Sequence, residues 1–406
     1  MRKTAAFVWL LLTCAVMSGC WNRIELNEIS IVAATAFDLE GDDWVISYQT
    51  IIPSTISSGM GMTGGGSNQS PVTVFTTRGR TIREAVNKSS SESPRWLFFA
   101  HTNILIVSDR VARGGMSQIL DLYFRNPDAR ETVNVLITKG SARAILEQLM
   151  SIEKIPGQGI REIIYNESRN SSRLPSVMMY ELAMAMTGDA RSAMIPEILI
   201  SGEPEGASLD ALKKTSQTSK LRLGKLAVLR GDRLAGWLTK EEGLGVSFIT
   251  DKVKSSILPF SCNSSDGKTY NSSFRLLTSS TKLSPVKERE HFVMNVDIKA
   301  GGYLLESDCV LDLSEPETID RLERQLQGEI AQILEKSWRA ARRLNVDVFG
   351  FADAVHRKYP KEWKKIKDDW EAVFPHIEMK PRVTVSMDRV GLSNKSFKTL
   401  KKDDGG

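Results

Sequence analysis

The sequence predicts a mixed fold, α/β in its first half and α+β in its second, forming a multi-domain soluble ectodomain behind an export signal. Three observations carry this. Between residues 29 and 186, short β-rich runs alternate with helical periods, as in an α/β layer. From residue 223 the order changes to several strands, one long amphipathic helix and a final strand. Beyond the first apolar run, no later one approaches the roughly 20 residues that cross a bilayer.

The chain opens with Arg2 and Lys3, then the apolar run Ala5-Ala6-Phe7-Val8-Trp9-Leu10-Leu11-Leu12, the two halves of an export signal. Small residues Ser18 and Gly19 follow, and then Cys20. An ordinary export signal has no use for a thiol here. A lipoprotein signal does, because the thiol takes a diacylglycerol through a thioether before cleavage. Met17-Ser18-Gly19-Cys20 resembles that bacterial lipobox, departing from it at Met17, where Leu is usual. The mature protein is therefore expected to begin at Cys20 and to be held on a membrane by its acyl chains. One chain binds marginally, at about 0.8 kcal/mol per buried methylene, and two hold firmly.

In the first half, Ile29 to Asp38 reads as a buried strand and Trp44 to Ile52 as its return across the turn Gly41-Asp42-Asp43. Residues 53–71 are rich in Ser and Gly and read as a flexible loop. Strands are expected at Val72 to Thr76, Ile104 to Val107 and Thr132 to Thr138. Helices are expected at Thr81 to Ser89, Asp109 to Phe124, Ser141 to Met150, Gly159 to Arg169 and Val177 to Met186.

Residues 201–219 are polar, lack an apolar period and read as a linker or loop. Strands are then expected at Leu223 to Leu229, Arg233 to Leu238, Val246 to Thr250, Ser272 to Thr278 and His291 to Lys299. Gly231-Asp232 marks a hairpin between the first two. Ser314 and Glu317 fit a capping box ahead of a helix whose stripe is Ile319, Leu322, Leu326, Ile330, Ile333 and Leu334. Farther on, Trp363, Ile366, Trp370 and Val373 share one helical face, with Lys361, Lys364, Lys365 and Asp368 opposite. That pattern reads as a helix docked on its own domain. Pro381 to Met387 closes as a strand. The expected divisions are a signal peptide at 1–19, an α/β part at 20–200 divisible into two subdomains, the linker at 201–219, an α+β domain at 220–395 and a polar tail at 396–406.

The 406 residues carry a formal charge of +5, and losing Arg2 and Lys3 leaves 5 − 2 = +3. This mild bias is no nucleic-acid footprint. With Cys14 in the signal and Cys20 lipidated, Cys262 and Cys309 remain, as a disulfide or as two thiols. Gly59-Met60-Gly61-Met62-Thr63-Gly64 matches a dinucleotide-binding spacing, but Gly65, Gly66, Ser67 and Asn68 follow where a helix must start. The four histidines, His101, His291, His356 and His376, lack the i, i+4 spacing of a helical zinc pair, and no Cys-x-x-Cys occurs. His101, beside Phe98-Phe99-Ala100, reads as a structural, hydrogen-bonded histidine. The sequence thus offers no catalytic, cofactor-binding or metal-binding residue, and Cys20 is its one candidate functional side chain.

Several stretches resemble the Ger(x)C family of spore germination lipoproteins, the C subunits of GerA-type nutrient germinant receptors. "GCWNRIEL" matches the family's opening through Gly19, Cys20, Trp21, Arg23, Glu25 and Leu26. Gly79, Arg80, Ala85 and His101 match its next landmarks, followed by Asp121, Arg125 and Arg130. "LGKLAVLRGDRLAGWL" resembles a block ending in Gly-Trp-Leu, with one extra residue at Lys225-Leu226 between Gly224 and Ala227 and with Leu229-Arg230 in place of Phe-Lys. "DVFGFADAVHRKYPKEWKKIKDDWEAVFP" resembles the C-terminal signature. The resemblance implies three α/β domains, no enzyme activity and no cofactor. It also implies lipid anchoring on the outer face of the spore inner membrane, with the integral membrane A-type and B-type subunits of the same receptor as partners. Two other classes remain open. One is a lipid-anchored solute-binding protein, which needs a ligand cleft between domains. The other is an anchored cell-wall hydrolase.

Overall fold

The computed structural model describes residues 27–57, 69–202, 208–216, 218–263, 269–289, 291–309 and 315–389, with positions 2, 4, 9, 25 and 313 besides. Strand β1 (Ile29–Glu40) turns through Gly41 into the antiparallel β2 (Asp43–Ile51). A short helix, α1 (Pro53–Ser57), occupies the start of the expected loop, where Thr55 Oγ1 donates back to the carbonyl of Ile52. Then come β3 (Val72–Gly79), α2 (Ile82–Glu92), β4 (Trp96–Phe98) and β5 (Ile104–Ser108). Thr81 caps α2 by accepting from the N–H of Glu84, while Glu84 accepts in turn from the N–H of Arg80.

The helix expected from Asp109 to Phe124 is two helices, α3 (Asp109–Gly114) and α4 (Ser117–Arg125). Gly115, at φ +124°, breaks it, and the N–H of Met116 and the hydroxyl of Ser117 both donate to Asp232. After β6 (Asn134–Thr138) come α5 (Ala142–Glu147), α6 (Pro156–Asn170) and α7 (Met179–Thr187). Strand β7 (Ser192–Gly202) was not foreseen, and its Pro196 removes the ladder donor that a strand pattern leads one to expect. A one-turn helix, α8 (Leu209–Leu212), lies within the expected linker, and β8 (Ser219–Arg230) and β9 (Arg233–Leu238) form the expected hairpin over Gly231-Asp232.

The run Val246 to Thr250 is not a strand. It ends helix α9 (Lys240–Ile249), which starts at a capping box in which Thr239 accepts from the N–H of Glu242 and Glu242 from the N–H of Thr239. Two glycines, poor helix formers, disguise it. Gly245 has a steric reason: a Cβ there would lie 2.0 Å from Ser337 Oγ and 2.8 Å from the carbonyl oxygen of Ile333 on the facing helix. Gly245→Ala should therefore force the two helices apart at a cost of about 1–3 kcal/mol. A chemical-denaturation midpoint equal to wild type would show that the crossing has slack.

Strand β10 (Ser256–Asn263), with Pro259 on the sheet edge, was also missed. It pairs with β11 (Thr269–Glu288), which pairs with β12 (His291–Ser307). The expected helix is α10 (Pro316–Leu344), with Glu315 as N-cap and Pro316 in its first turn; Ser314 lies outside the described residues. Its stripe is as expected, with Leu322, Leu326, Ile330 and Leu334 buried and Ile319 and Ile333 partly so. Helices α11 (Phe351–Lys358), α12 (Pro360–Ile366) and α13 (Trp370–Val373) follow, the last two joined by a 3-10 turn at Lys367–Asp369. Strand β13 (Glu378–Arg389) runs parallel to β12 and completes the second sheet, in the order β10-β11-β12-β13.

The first sheet has the order β3-β2-β1-β5-β6-β7-β8-β9, with β4 on the start of β1. It therefore runs across the segment expected to be a linker, since β8 pairs with β7 along most of its length. One residue pair, Ile137↔Glu197, joins β6 to β7. The described strands thus form three groups, two of them meeting edge to edge at that pair. Alternation along β5 splits the core: Ile104 and Ile106 face the cluster that continues to α10 and the second sheet, while Leu105 and Val107 face α2 and α4. Cys262 and Cys309 are joined as a disulfide, with Cα atoms 6.5 Å apart. Among the described residues no helix is long and apolar enough to cross a membrane.

Candidate functional site

The junction between β6 and β7 is organised by a buried carboxylate. Glu197 accepts from the N–H of Lys225 at 2.7 Å and lies 3.6 Å from Lys139 Nζ. The register of β7 and β8 shifts between Pro196 and Ile198, so that Gly224 and Lys225 together oppose Glu197. The extra residue on β8 forms a β-bulge, which re-aims a backbone N–H at the carboxylate. Gly224 makes room for it, since a Cβ there would lie 2.2 Å from Glu197 Oε2. Lys139 Nζ also sits 4.6 Å from the centre of the Trp237 ring, a cation–π contact that ties β9 to the same junction. Trp237 itself packs on the core beside β8.

The C-terminal signature is built around Asp347, 3 % exposed. Its carboxylate accepts from the N–H groups of Phe349 (3.2 Å), Phe351 (3.1 Å) and Ala352 (2.7 Å) and from the indole N–H of Trp370 (3.2 Å). The backbone donors belong to the turn that starts α11, whose first N–H groups have no partner within the helix. Burial pushes the Asp347 carboxyl above its ordinary range, and the four donors pull the other way. Around this knot Trp338 packs on Phe349, Phe351 and Phe374, with ring centres 5.2–5.9 Å apart.

A cleft of about 340 Å³ separates this segment from α7 and β7 and is lined by Glu181, Leu182, Met194, Lys252, Phe349 and Asp353 among others. His356 and Asp189 bridge the two sides at 2.6 Å. Burial, and then Asp189, hold the Asp353 carboxyl above its usual range. Three carboxylates, those of Glu181, Asp347 and Asp353, and the Lys252 ammonium line the cleft.

The residues singled out from sequence are scattered. Cys20 and the glycine-rich stretch Gly59 to Gly64 lie outside the described residues. His101, expected as a structural, hydrogen-bonded histidine, is exposed, and its contact among the described residues is its ring 5.6 Å from that of Phe98. Asp121 and Arg125 form an exposed i, i+4 ion pair on α4. Among the described residues no three His, Cys, Asp or Glu side chains gather as a metal site. Glu197 and Asp347 were not singled out. Asp347 stands three residues ahead of Gly350, the N-cap of α11, too far to read as its cap, and Glu197 carried no local signal either.

Residues 22–200 match the family described as spore germination protein N-terminal domain, and residues 224–391 match spore germination B3/GerAC like, C-terminal. The chain belongs to the Ger(x)C family. Spore germination protein KC of Bacillus subtilis (strain 168) is 27 % identical over 410 residues, covering 99 % of this chain and 100 % of that protein. Spore germination protein B3 of the same organism is 21 % identical over 409 residues, covering 97 % of this chain and 100 % of that protein. The crystal structure of the GerBC protein superposes with a TM-score of 0.53 at 16 % identity, over 87 % of this chain and 97 % of that one. The Ger(x)C fold is thus shared at low identity. The C-terminal family match begins at Gly224, so β8 and β9, which complete the first sheet, belong mainly to the second matched region. None of these family or protein names is that of an enzyme.

Proposed function

We propose that this Ger(x)C protein is a non-enzymatic, lipid-anchored subunit of a nutrient germinant receptor, required for spores to germinate in response to germinants. It acts by contacts with the integral membrane A-type and B-type subunits, on the outer face of the spore inner membrane. The observation that carries this reading is the family match over residues 22–200 and 224–391. Two of the landmark residues, Gly224 and Trp237, serve strand joining and packing, which suits a body that transmits contacts. Co-purification from spore membranes tests it: the two integral subunits should come down with the tagged chain. Recovery of the chain without them would overturn the reading.

Anchoring through Cys20 has its own test. Cys20→Ala should abolish fatty-acid incorporation and release most of the chain from the membrane pellet, because without acyl chains the roughly 0.8 kcal/mol per buried methylene is gone. Equal metabolic labelling of wild type and variant would rule out the lipobox.

A further inference from the structure

We propose that Trp96, with Arg95 beside it, is a second membrane contact: the indole ring lies in the headgroup layer and seats the protein on the bilayer with this end down. The inference rests on the anchoring at Cys20 proposed above. Trp96 is 62 % exposed, whereas Trp44, Trp338, Trp363 and Trp370 are all buried. Its position is fixed by the sheet and not by a loose loop. Strand β4 lies parallel to the start of β1, with Trp96 opposite Ile29, and the N–H of Trp96 donates to the carbonyl of Glu28 at 2.9 Å. Trp96 therefore stands at the point where the chain coming from Cys20 enters the fold.

The covalent distance then limits the geometry. Cys20 and Glu28 are eight residues apart, and even fully extended that stretch spans at most about 29 Å. A chain of this length has a radius of gyration of about 21 Å, so its far side is about twice that distance away. The tether cannot reach around the body, so the end carrying Glu28, Arg95 and Trp96 is held within about 29 Å of the bilayer. An indole is suited to that position, with an apolar ring for the acyl boundary and an N–H for the headgroups. Arg95 is exposed as well and supplies a cation for anionic lipid. The groove beside the ring is mixed, lined by Asn27, Asn87 and Ser90 and by Val86, Leu97 and Phe99, and it also holds Glu28, whose carboxylate offsets part of the Arg95 charge.

The test uses the full chain, processed and lipidated, reconstituted in phosphatidylcholine–phosphatidylglycerol vesicles with or without brominated acyl chains. Bromine quenches only indoles that touch lipid. Trp21, next to the anchor, and Trp96 are the candidates, because Trp44, Trp338, Trp363 and Trp370 are buried and Trp237 is packed on the core. Trp96→Phe should then remove about half of the lipid-quenchable emission. The same quenchable fraction in wild type and W96F would overturn the proposal and leave Trp96 as a surface for another protein. Mass spectrometry of the same wild-type sample separates the two failures. A diacylglycerol on Cys20 with unchanged quenching defeats only the Trp96 contact, and no lipid on Cys20 defeats the anchoring and this inference with it.

Discussion

Asp347→Ala should destabilise the C-terminal part of the protein by about 3–5 kcal/mol, the cost typical of removing one partner from a buried charged network. The substitution leaves three backbone N–H groups and the Trp370 indole N–H without their acceptor. Each buried orphan donor costs about 1–3 kcal/mol, but the losses do not simply add, because water and small backbone shifts recover part of them. The alanine also removes a carboxyl whose burial is itself unfavourable, as the upward push on its protonation shows. Asp347→Asn should fall between wild type and alanine, since its amide keeps one acceptor and turns two donors toward a cluster that has donors already. Denaturant unfolding of the three proteins gives the order. An alanine variant within about 0.5 kcal/mol of wild type, the range of an ordinary surface change, would mean that the turn before α11 holds itself without the carboxylate.

Local periodicity made much of the fold legible. The short apolar run Ile104 to Val107, the stripe from Leu322 to Leu334 and the Gly231-Asp232 turn each report their own environment, and each element lies where it was expected. The failures have physical causes. Strands β7 and β10 contain Pro196 and Pro259, which read as breakers but lie beside a bulge and on a sheet edge. Helix α9 holds two glycines that lower its propensity, and the gain from that arrangement lies across the chain at Ser337. The seam at Glu197 depends on Lys139, Gly224 and Trp237, which no local window contains. The family resemblance supplied what periodicity did not, namely the function class, and it located Gly224 and Trp237 without giving their roles. The pairing of Cys262 with Cys309 stayed open in the sequence because 47 residues separate them, and the β10-β11-β12 ladder is what brings them together.

Trp370→Ala should cost about 3–5 kcal/mol, the usual range for deleting a buried large aromatic side chain. The stretch "KEWKKIKDDWEAVF" could have served a membrane through its lysines or a core through its tryptophans, and the fold decides for the core. Trp363 and Trp370 are 4 % and 5 % exposed, with ring centres 5.2 Å apart in an edge-on contact. The helix is interrupted by the 3-10 turn at Lys367–Asp369, yet both rings stay on the buried side and Ile366 and Val373 pack at its margin. Lys364 and Lys365 are exposed, and Lys365 lies 3.2 Å from Glu362, which Lys287 also approaches at 2.6 Å. Exposed pairs of this kind contribute about 0–1 kcal/mol, so Lys364→Glu with Lys365→Glu should shift stability by no more than about 1 kcal/mol. Trp370→Phe separates packing from hydrogen bonding, because it keeps a ring and removes the donor to Asp347; about 1–2 kcal/mol is expected for it. Combining Trp370→Phe with Asp347→Ala should cost less than the sum of the two, since the bond they share is lost only once. Strict additivity in denaturant melts would show that the indole–carboxylate contact contributes nothing. A silent Trp370→Ala together with vesicle binding lost in the lysine double variant would move this helix from the core to a membrane or partner surface.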